Sequence, residues 1–159
     1  MKDMEDITDE GIKNHCPMCD KASHVFVSPL EESENFRIVC DGHPIVSGHT
    51  LIITKRHVAC IGDYTDDEFE EFKKLYSKVN SFLQENYGKV ATFEHGVVGQ
   101  TVYHSHVHLL PFVGTPEQIV SEGSNYLTAI SDLSDLKAIY QRDKKYLFFS
   151  IAERKWVAD

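Results

Sequence analysis

The sequence predicts an α+β fold in which a mainly antiparallel sheet accompanies one long helix. Short runs rich in β-branched and aromatic residues, bounded by glycine, proline and polar residues, are typical of strands. One stretch, between residues 65 and 88, instead repeats its apolar residues at helical spacing. Because strands come first, then the helix, then further strands and a tail, the order of elements favours an α+β domain.

The long helix has sequence signals at both ends. Thr65 with Glu68 three residues later forms a capping box, and Gly88 is a suitable C-terminal stop. The apolar residues between them form one stripe, which we expect to pack in the core. The stripe consists of Phe69, Phe72, Leu75, Val79, Phe82 and Leu83.

The other elements follow from local composition. Residues 42–49 and 95–100 contain glycine and are predicted to form loops, and residues 16–21 a tight knuckle. Apolar residues between 133 and 140 suggest a short helix. The predicted strands span residues 24–28, 35–41, 51–54, 89–94, 102–113 and 146–151.

Length and charge limit the classes of function. A chain of 159 residues suits one domain with a single hydrophobic core. The net charge of −9 argues against a nucleic-acid polymer as partner, since such binders usually carry a basic face, but it leaves anionic small ligands open. The acidic start lacks the apolar run of a signal peptide, and no stretch approaches the roughly 20 apolar residues that span a bilayer. We therefore expect a cytoplasmic protein with no membrane partner.

Three histidines alternate along the strand predicted at 102–113. His104, His106 and His108 stand at i, i+2 and i+4, so in a strand their side chains share one face. A lone strand histidine is usually structural, whereas three in register favour function, because each buried imidazole needs partners for its nitrogens.

Two chemistries fit this row of imidazoles. The row could hold a catalytic zinc ion, or one ring could attack phosphorus and form a covalent bond to it. In the second case His106 is the candidate nucleophile, since it lies between two partners. A neighbouring group must then accept a hydrogen bond from its other ring nitrogen and fix the tautomer.

The loop before the histidines could bind phosphate. Gly99 permits close backbone approach to a ligand, and the Thr101 hydroxyl with nearby N–H groups could hold phosphate oxygens. By itself the segment Gly99-Gln100-Thr101 is a weak signal, because an ordinary loop could contain the same residues. Beside three aligned histidines, we favour phosphate binding.

These residues resemble the histidine triad (HIT) family. Residues 99–110, GQTVYHSHVHLL, are similar to its motif of His, apolar, His, apolar, His and two apolar residues. Residues 48–57, GHTLIITKRH, resemble its upstream segment, and Asp41 stands at the matching distance before it. Two departures are visible: Ser105 is polar where the family usually has an apolar residue, and residues 93–96, FEHG, stand where many members carry an asparagine.

The resemblance implies hydrolysis or transfer of nucleotides at the α-phosphorus. His106 is then the nucleophile, and His108 contacts the phosphate and the scissile atom. Asp41 holds the ribose hydroxyls, and His49 matches a further histidine of the active site. The positions of Gln100 and Thr101 contact the phosphate or the leaving group, with Gly99 beside them.

The resemblance also implies an organisation of the chain. The fold is HIT-like, and two sheets join across a homodimer. We expect a flexible acidic N-terminus at 1–15, a HIT-like catalytic domain at 16–113 and a C-terminal extension at 114–159 packed on the same domain. The extension lies outside the resemblance.

Cys16 and Cys19 have the two-residue gap of a zinc knuckle. A redox role would favour a βαβ setting, whereas this pair follows a polar head. Some bacterial-type members of the family bind zinc through such a pair and two histidines, which match His57 and His104. We therefore expect a structural zinc ion that pins His104 beside the nucleophile.

Three functions remain open at this point. The first is an enzyme that cleaves nucleoside phosphoramidates, dinucleoside polyphosphates or related nucleotidyl compounds. The second is a zinc-stabilised nucleotide-binding module without turnover, which has no need of a complete triad. The third, a metallohydrolase with zinc on all three triad histidines, ranks last, because no acidic ligand lies close in sequence and the cysteine pair would lack partners.

Overall fold

The computed structural model describes residues 15–116 and 126–158. The expected acidic N-terminus at 1–15 therefore lies outside the described residues, apart from His15. The same holds for residues 117–125 and 159 of the C-terminal extension.

An eight-stranded sheet organises the described residues, and all its strand pairs are antiparallel. The spatial order is β1-β2-β3-β5-β4-β7-β8-β6, which confirms the predicted α+β class with a mainly antiparallel sheet. The strands are β1 (Pro29–Glu32), β2 (Phe36–Cys40), β3 (Thr50–Thr54), β4 (Val90–Gly96), β5 (His106–Pro111), β6 (Leu127–Ile130), β7 (Tyr146–Ile151) and β8 (Arg154–Ala158).

Two α-helices and two short 3₁₀ helices accompany the sheet in the described part of the chain. Helix α1 spans Asp66–Tyr87, and its capping box is present as predicted, with Thr65 at the N-cap and Gly88 at the C-cap. Helix α2 spans Asp135–Asp143 and confirms the short helix predicted in the tail. The 3₁₀ helices are His24–Phe26 and Ile61–Asp63. Within the described ranges, neither α-helix combines the length and apolar character that a membrane crossing requires.

The main hydrophobic core lies on one face of the sheet. Phe72 of α1 and Leu136 of α2 are both fully buried there, against sheet residues such as Ile52, Val107 and Phe148. Because side chains alternate along a strand, the neighbours of these sheet residues point to the opposite face. That face carries a smaller cluster of Cys16, Met18, Val39, Leu51 and Ile53, and the candidate site lies beside it.

Two strand predictions were wrong in their bounds. Residues 24–26 form a 3₁₀ turn instead of a strand, because the Ser23 side chain accepts a hydrogen bond from the Val25 amide, and the strand starts only at Pro29. The strand predicted at 102–113 is shorter, since its pairing with β3 starts at His106. His104 therefore precedes β5, although the alternation of side chains continues through it.

The C-terminal part of the chain contributes more of the sheet than predicted. β7, which was expected, pairs along the whole of β4 except Val90, and this pairing extends β4 into the loop predicted at 95–100. β8 and β6 add two strands that were not predicted. β7 thus covers the outer edge of β4 and leaves β1 and β6 as the edges among the described strands. The joining of two sheets across a homodimer stays a prediction.

The N-cap of α1 gives a test of helix stability. Thr65→Ala removes the acceptor of the 3.2 Å bond from the Glu68 amide, and we expect the free energy of unfolding to fall by about 1 kcal/mol. Ser134→Ala is the control, because the Ser134 side chain makes no capping hydrogen bond to α2. Urea denaturation measures both variants, and equal losses would contradict a role for the Thr65 hydroxyl.

Candidate active site

His106 lies at the start of β5 with its ring largely buried. Its Nδ1 lies 2.6 Å from the backbone carbonyl oxygen of His104. A carbonyl only accepts, so Nδ1 carries the proton, and the neutral ring keeps an unprotonated Nε2. Burial is the main cause that lowers the pKa of His106, which keeps the ring neutral. The group that fixes the tautomer is thus a backbone carbonyl, which the sequence could not identify.

His108 and His49 form a hydrogen-bonded pair across β5 and β3. The Ile45 amide donates to Nδ1 of His49 at 3.2 Å, so Nε2 of His49 carries the proton. This nitrogen lies 2.9 Å from Nδ1 of His108 and 3.4 Å from a carboxylate oxygen of Asp41. Nδ1 of His108 therefore accepts, and its Nε2–H is left as a donor. Burial, the largest cause, lowers the pKa of His108 to about 3, so this donor belongs to a neutral ring.

The predicted phosphate-binding loop divides into two parts. Thr101 lines the pocket in front of His106 and His108, together with Asp41. Gln100 instead directs its side-chain amide to the backbone carbonyls of Ala59 and His104, at 2.8 and 3.3 Å. Gly99 adopts a φ of +67°, a conformation that favours glycine. The remaining pocket residues are Met18, His24, Val25, Gly42, His43, Leu51 and Val102.

Cys16, Cys19, His57 and His104 form a group that could hold a metal ion, since their four ligand atoms lie within 4.8 Å of one another. Nδ1 of His104 lies 3.5 and 3.4 Å from the sulfurs of Cys16 and Cys19, and Nδ1 of His57 lies 3.2 Å from that of Cys19. A tetrahedral zinc ion with its usual bond lengths separates sulfur and nitrogen ligands by about 3.5 Å. The donor set thus fits zinc in chemistry, number and spacing.

A backbone carbonyl orients the His104 ring, and an ion pair fixes the loop next to His57. The Thr54 carbonyl lies 2.7 Å from Nε2 of His104, so that nitrogen carries the proton and Nδ1 directs its lone pair toward the sulfurs. Next to His57, Arg56 donates to both carboxylate oxygens of Glu68 at 2.7 Å, which fixes the loop to the start of α1.

The three triad histidines do not converge on one point. Nδ1 of His104 faces the cysteines, Nδ1 of His106 faces a carbonyl, and Nδ1 of His108 faces His49. A second group of possible ligands contains Asp41, His49 and His108, but the 2.9 Å between the two histidine nitrogens is a hydrogen-bond distance, shorter than two ligands of one zinc ion allow. The metallohydrolase with zinc on the whole triad is therefore not supported.

Sequence reasoning missed two residues next to the triad, both in β4. The Phe93 ring stacks on the His108 ring with centroids 4.1 Å apart. Glu94 points to the other face and is fully buried below Ser105. The available signal was a charged residue in an otherwise apolar strand, at a position already noted as departing from the family pattern.

Comparisons with known proteins agree with this geometry. A family model described as HIT domain matches residues 23–113, which is more than half of the chain. A HIT-like protein of Chlamydia trachomatis is 35% identical over 83 residues, which cover 50% of this chain and 75% of that protein.

Two further relatives carry names that state an activity. A bis(5'-adenosyl)-triphosphatase of Dictyostelium discoideum is 33% identical over 72 residues, covering 43% of this chain and 48% of that protein. A bis(5'-nucleosyl)-tetraphosphatase [asymmetrical] of Schizosaccharomyces pombe is 35% identical over 72 residues, covering 43% and 40%. The chain thus spans less than half the length of these two enzymes.

Solved structures share the fold. A HIT family hydrolase from Clostridium thermocellum aligns over 64% of this chain and 93% of its own, with 26% identity and a TM-score of 0.50. A member of the HIT family from Bacillus subtilis aligns over 70% and 94%, with 22% identity and a TM-score of 0.54, and supports the fold alone. With a matching family model over residues 23–113 and relatives across that region, this chain belongs to the histidine triad (HIT) family.

Proposed function

We propose that the protein is a nucleotide hydrolase or nucleotidyl transferase that acts at the α-phosphorus through a covalent intermediate on His106. The observation that carries the proposal is the 2.6 Å contact from Nδ1 of His106 to the His104 carbonyl, which leaves Nε2 unprotonated as a nucleophile on a ring that lines the pocket. The names of the two relatives, a triphosphatase and a tetraphosphatase of dinucleosides, support the same reaction class.

The first step forms one bond and breaks one. Nε2 of His106 attacks the α-phosphorus, a P–N bond forms, and the bond from phosphorus to the leaving oxygen or nitrogen breaks. The ring becomes a cation, which the His104 carbonyl stabilises through its hydrogen bond. Nε2–H of His108, held as a donor by His49, hydrogen-bonds the phosphate or the leaving atom.

The second step regenerates the enzyme. Water, or an acceptor alcohol or amine in a transferase, attacks the phosphorus and gives up its proton to the departed leaving group or to solvent, while the P–N bond breaks and returns the electron pair to His106, which is again neutral. Hydrolysis releases a nucleoside monophosphate. The Thr101 hydroxyl lines the same pocket and is placed to hydrogen-bond a phosphate oxygen.

The nucleoside lies, in this proposal, toward Asp41 at the mouth of the pocket. One Asp41 oxygen accepts from the His43 amide at 2.8 Å, so part of this carboxylate already shapes the turn. The other oxygen faces His49 at 3.4 Å, a long contact that leaves it able to accept from a ribose hydroxyl.

We also propose a structural zinc ion held by Cys16, Cys19, His57 and His104. When bound, zinc would lock His104, whose carbonyl orients the nucleophile, and no chemical step requires it. Cys16 and Cys19 lie near the start of the described chain, His57 lies in the loop before α1, and His104 lies just before β5. The ion would therefore join segments that are far apart in the sequence.

A nucleotide-binding module without turnover is the alternative. Incubation with adenosine and guanosine phosphoramidates, dinucleoside polyphosphates and sugar nucleotides, with nucleoside monophosphate release as the readout, separates the two. Binding without release across the whole panel would favour the module.

His106→Asn tests the nucleophile. The amide keeps a polar side chain but cannot form the covalent intermediate, so we expect turnover to fall by several orders of magnitude. Unfolding and nucleotide affinity should stay close to those of the wild type. Turnover within tenfold of the wild type would remove His106 from this role.

Cys16→Ser tests the metal site. We expect about one zinc ion per wild-type chain and, in the variant, less zinc together with a lower Tm, because a structural site contributes directly to folding. Cys40→Ser is the matched control, since Cys40 is a free cysteine outside the group. Metal analysis and thermal melts provide the readouts, and wild-type protein that is metal-free when prepared without chelators would contradict the site.

Asp41→Ala tests ribose recognition. The loss in kcat/KM should be greater for a ribonucleotide substrate than for its 2′,3′-dideoxy counterpart, by roughly 1.5–3 kcal/mol of transition-state binding. Asp41→Asn keeps an acceptor for the His43 amide and separates the turn from the ribose contact. Equal losses for both substrates would assign Asp41 to the turn alone.

A further inference from the structure

A polar network is buried in the main core directly behind the candidate nucleophile. Its centre is Glu94, which is fully buried and accepts hydrogen bonds from an amide and two hydroxyls, none of them a cation. One carboxylate oxygen accepts from the Ile61 amide at 2.9 Å and from the Ser105 hydroxyl at 3.1 Å. The other accepts from the Tyr146 hydroxyl at 2.6 Å.

The network extends one bond further on both sides. Tyr64 shares a 2.7 Å hydrogen bond with the Ser105 hydroxyl, and the Gly62 amide donates to the Tyr146 hydroxyl at 3.1 Å. Gly96 leaves room for the Tyr146 ring, since a side chain there would place Cβ 2.5 Å from it. The network thus joins the 3₁₀ helix Ile61–Asp63, strand β4, the residue that precedes β5 and the C-terminal strand β7.

A buried carboxyl without a cation is costly, so its position calls for an explanation beyond packing. Burial, the largest cause, raises the pKa of Glu94 to about 7, while its three donors oppose that shift. An apolar residue of similar volume would fill the same space at a lower cost in free energy. A fully hydrogen-bonded network instead fixes the positions of its members.

The network reaches the nucleophile through a single peptide unit. The carbonyl that accepts from Nδ1 of His106 belongs to His104, in the peptide that His104 shares with Ser105. The N–H of that peptide donates to the Val58 carbonyl at 2.6 Å, and the Ser105 side chain continues it to Glu94. A rotation of this peptide would move the carbonyl away from the His106 ring.

We propose that Glu94 is a positioning residue, which acts through Ser105 to hold the His104 carbonyl against His106, and that Tyr146 makes the C-terminal strand β7 part of this support. The inference rests on the proposed nucleophilic role of His106. It adds a contribution from the sheet face opposite the pocket, and from a part of the chain beyond the HIT domain match.

Two variants break the network without emptying the core. Ser105→Ala disconnects Glu94 from the peptide, and Tyr146→Phe removes the hydroxyl of the C-terminal strand. Ser150→Ala is the control for the first, because Ser150 is also buried in the sheet but its hydroxyl has no hydrogen-bond partner in the described structure. Tyr76→Phe is the control for the second, since it breaks a hydroxyl pair with Thr92 elsewhere in the same core.

Kinetics and histidine ring NMR give two readouts. We expect both network variants to lower kcat about tenfold with KM within about twofold, the size of one lost hydrogen bond in the reacting state alone. We expect ¹H–¹⁵N ring spectra of the wild type to show His106 protonated at Nδ1, and both network variants to show a mixture of tautomers. Neither control should change kcat or the His106 signal.

Two results would overturn this role of Glu94. An unchanged His106 tautomer in either network variant, or control variants that lose as much activity, would overturn it. If Ser105→Ala fails to fold, Tyr146→Phe, which keeps its ring in the core, gives the decision by both readouts. If the wild type turns over no nucleotide, the proposed function fails, while the ring spectra still show whether the network positions His106.

Discussion

The 2.6 Å hydrogen bond from the His106 ring to the His104 carbonyl is the interaction on which the site depends. It sets the tautomer of the nucleophile with a backbone group, and the fold around this group fixes its position. A side-chain acceptor would bring its own rotamers, and an acidic one would also favour the charged ring. The neutral carbonyl avoids both effects, and burial helps to keep the ring uncharged.

Much of the surrounding structure holds this one peptide in place. On the pocket face, the His104 ring lies between the Thr54 carbonyl and the sulfurs of the cysteine pair. On the core face, the Ser105 amide donates a hydrogen bond to the Val58 carbonyl, and the Ser105 hydroxyl donates to the Glu94 carboxylate. Contacts on both faces are possible because side chains alternate along a strand, so consecutive residues reach opposite faces of the sheet.

Local features of the fold could be predicted from the sequence, and contacts between distant segments could not, apart from the metal-ligand group that the family resemblance implied. Helix α1 follows from Thr65, Glu68 and Gly88, which signal its ends within a few residues. The 3₁₀ turn at 24–26 was not predicted, because one hydrogen bond from the Val25 amide to the Ser23 side chain outweighs the strand preference of an apolar run. β6 and β8 are short, and their pairing partners come from elsewhere in the chain.

The residues of the candidate site show the same difference between local and long-range features. The histidine row, Asp41 and the cysteine pair were identified because they lie in short motifs, and the structure brings Cys16 next to His104 across 88 residues of sequence. The partners that complete the site are long-range and carry no motif: the His104 carbonyl is a backbone atom, and Glu94 meets Tyr146 across 52 residues. For Gln100 the ligand contact suggested by its motif position stays a prediction, while in the structure its side-chain amide donates to backbone carbonyls.

The C-terminal strands change how the catalytic sheet is supported. β4 would be an edge strand without them, with unpaired backbone groups next to the strand that carries the nucleophile. β7 pairs with β4 from Ala91 to Gly96 and β5 pairs with it from Val90 to Phe93, so residues 91–93 have a paired strand on both sides. Because the Tyr146 hydroxyl enters the core from this same strand, pairing of the sheet edge and support of the nucleophile are not independent. Loss of β7 would expose an edge and also remove a donor from the buried carboxyl of Glu94, which then keeps only the Ile61 amide and Ser105 as partners.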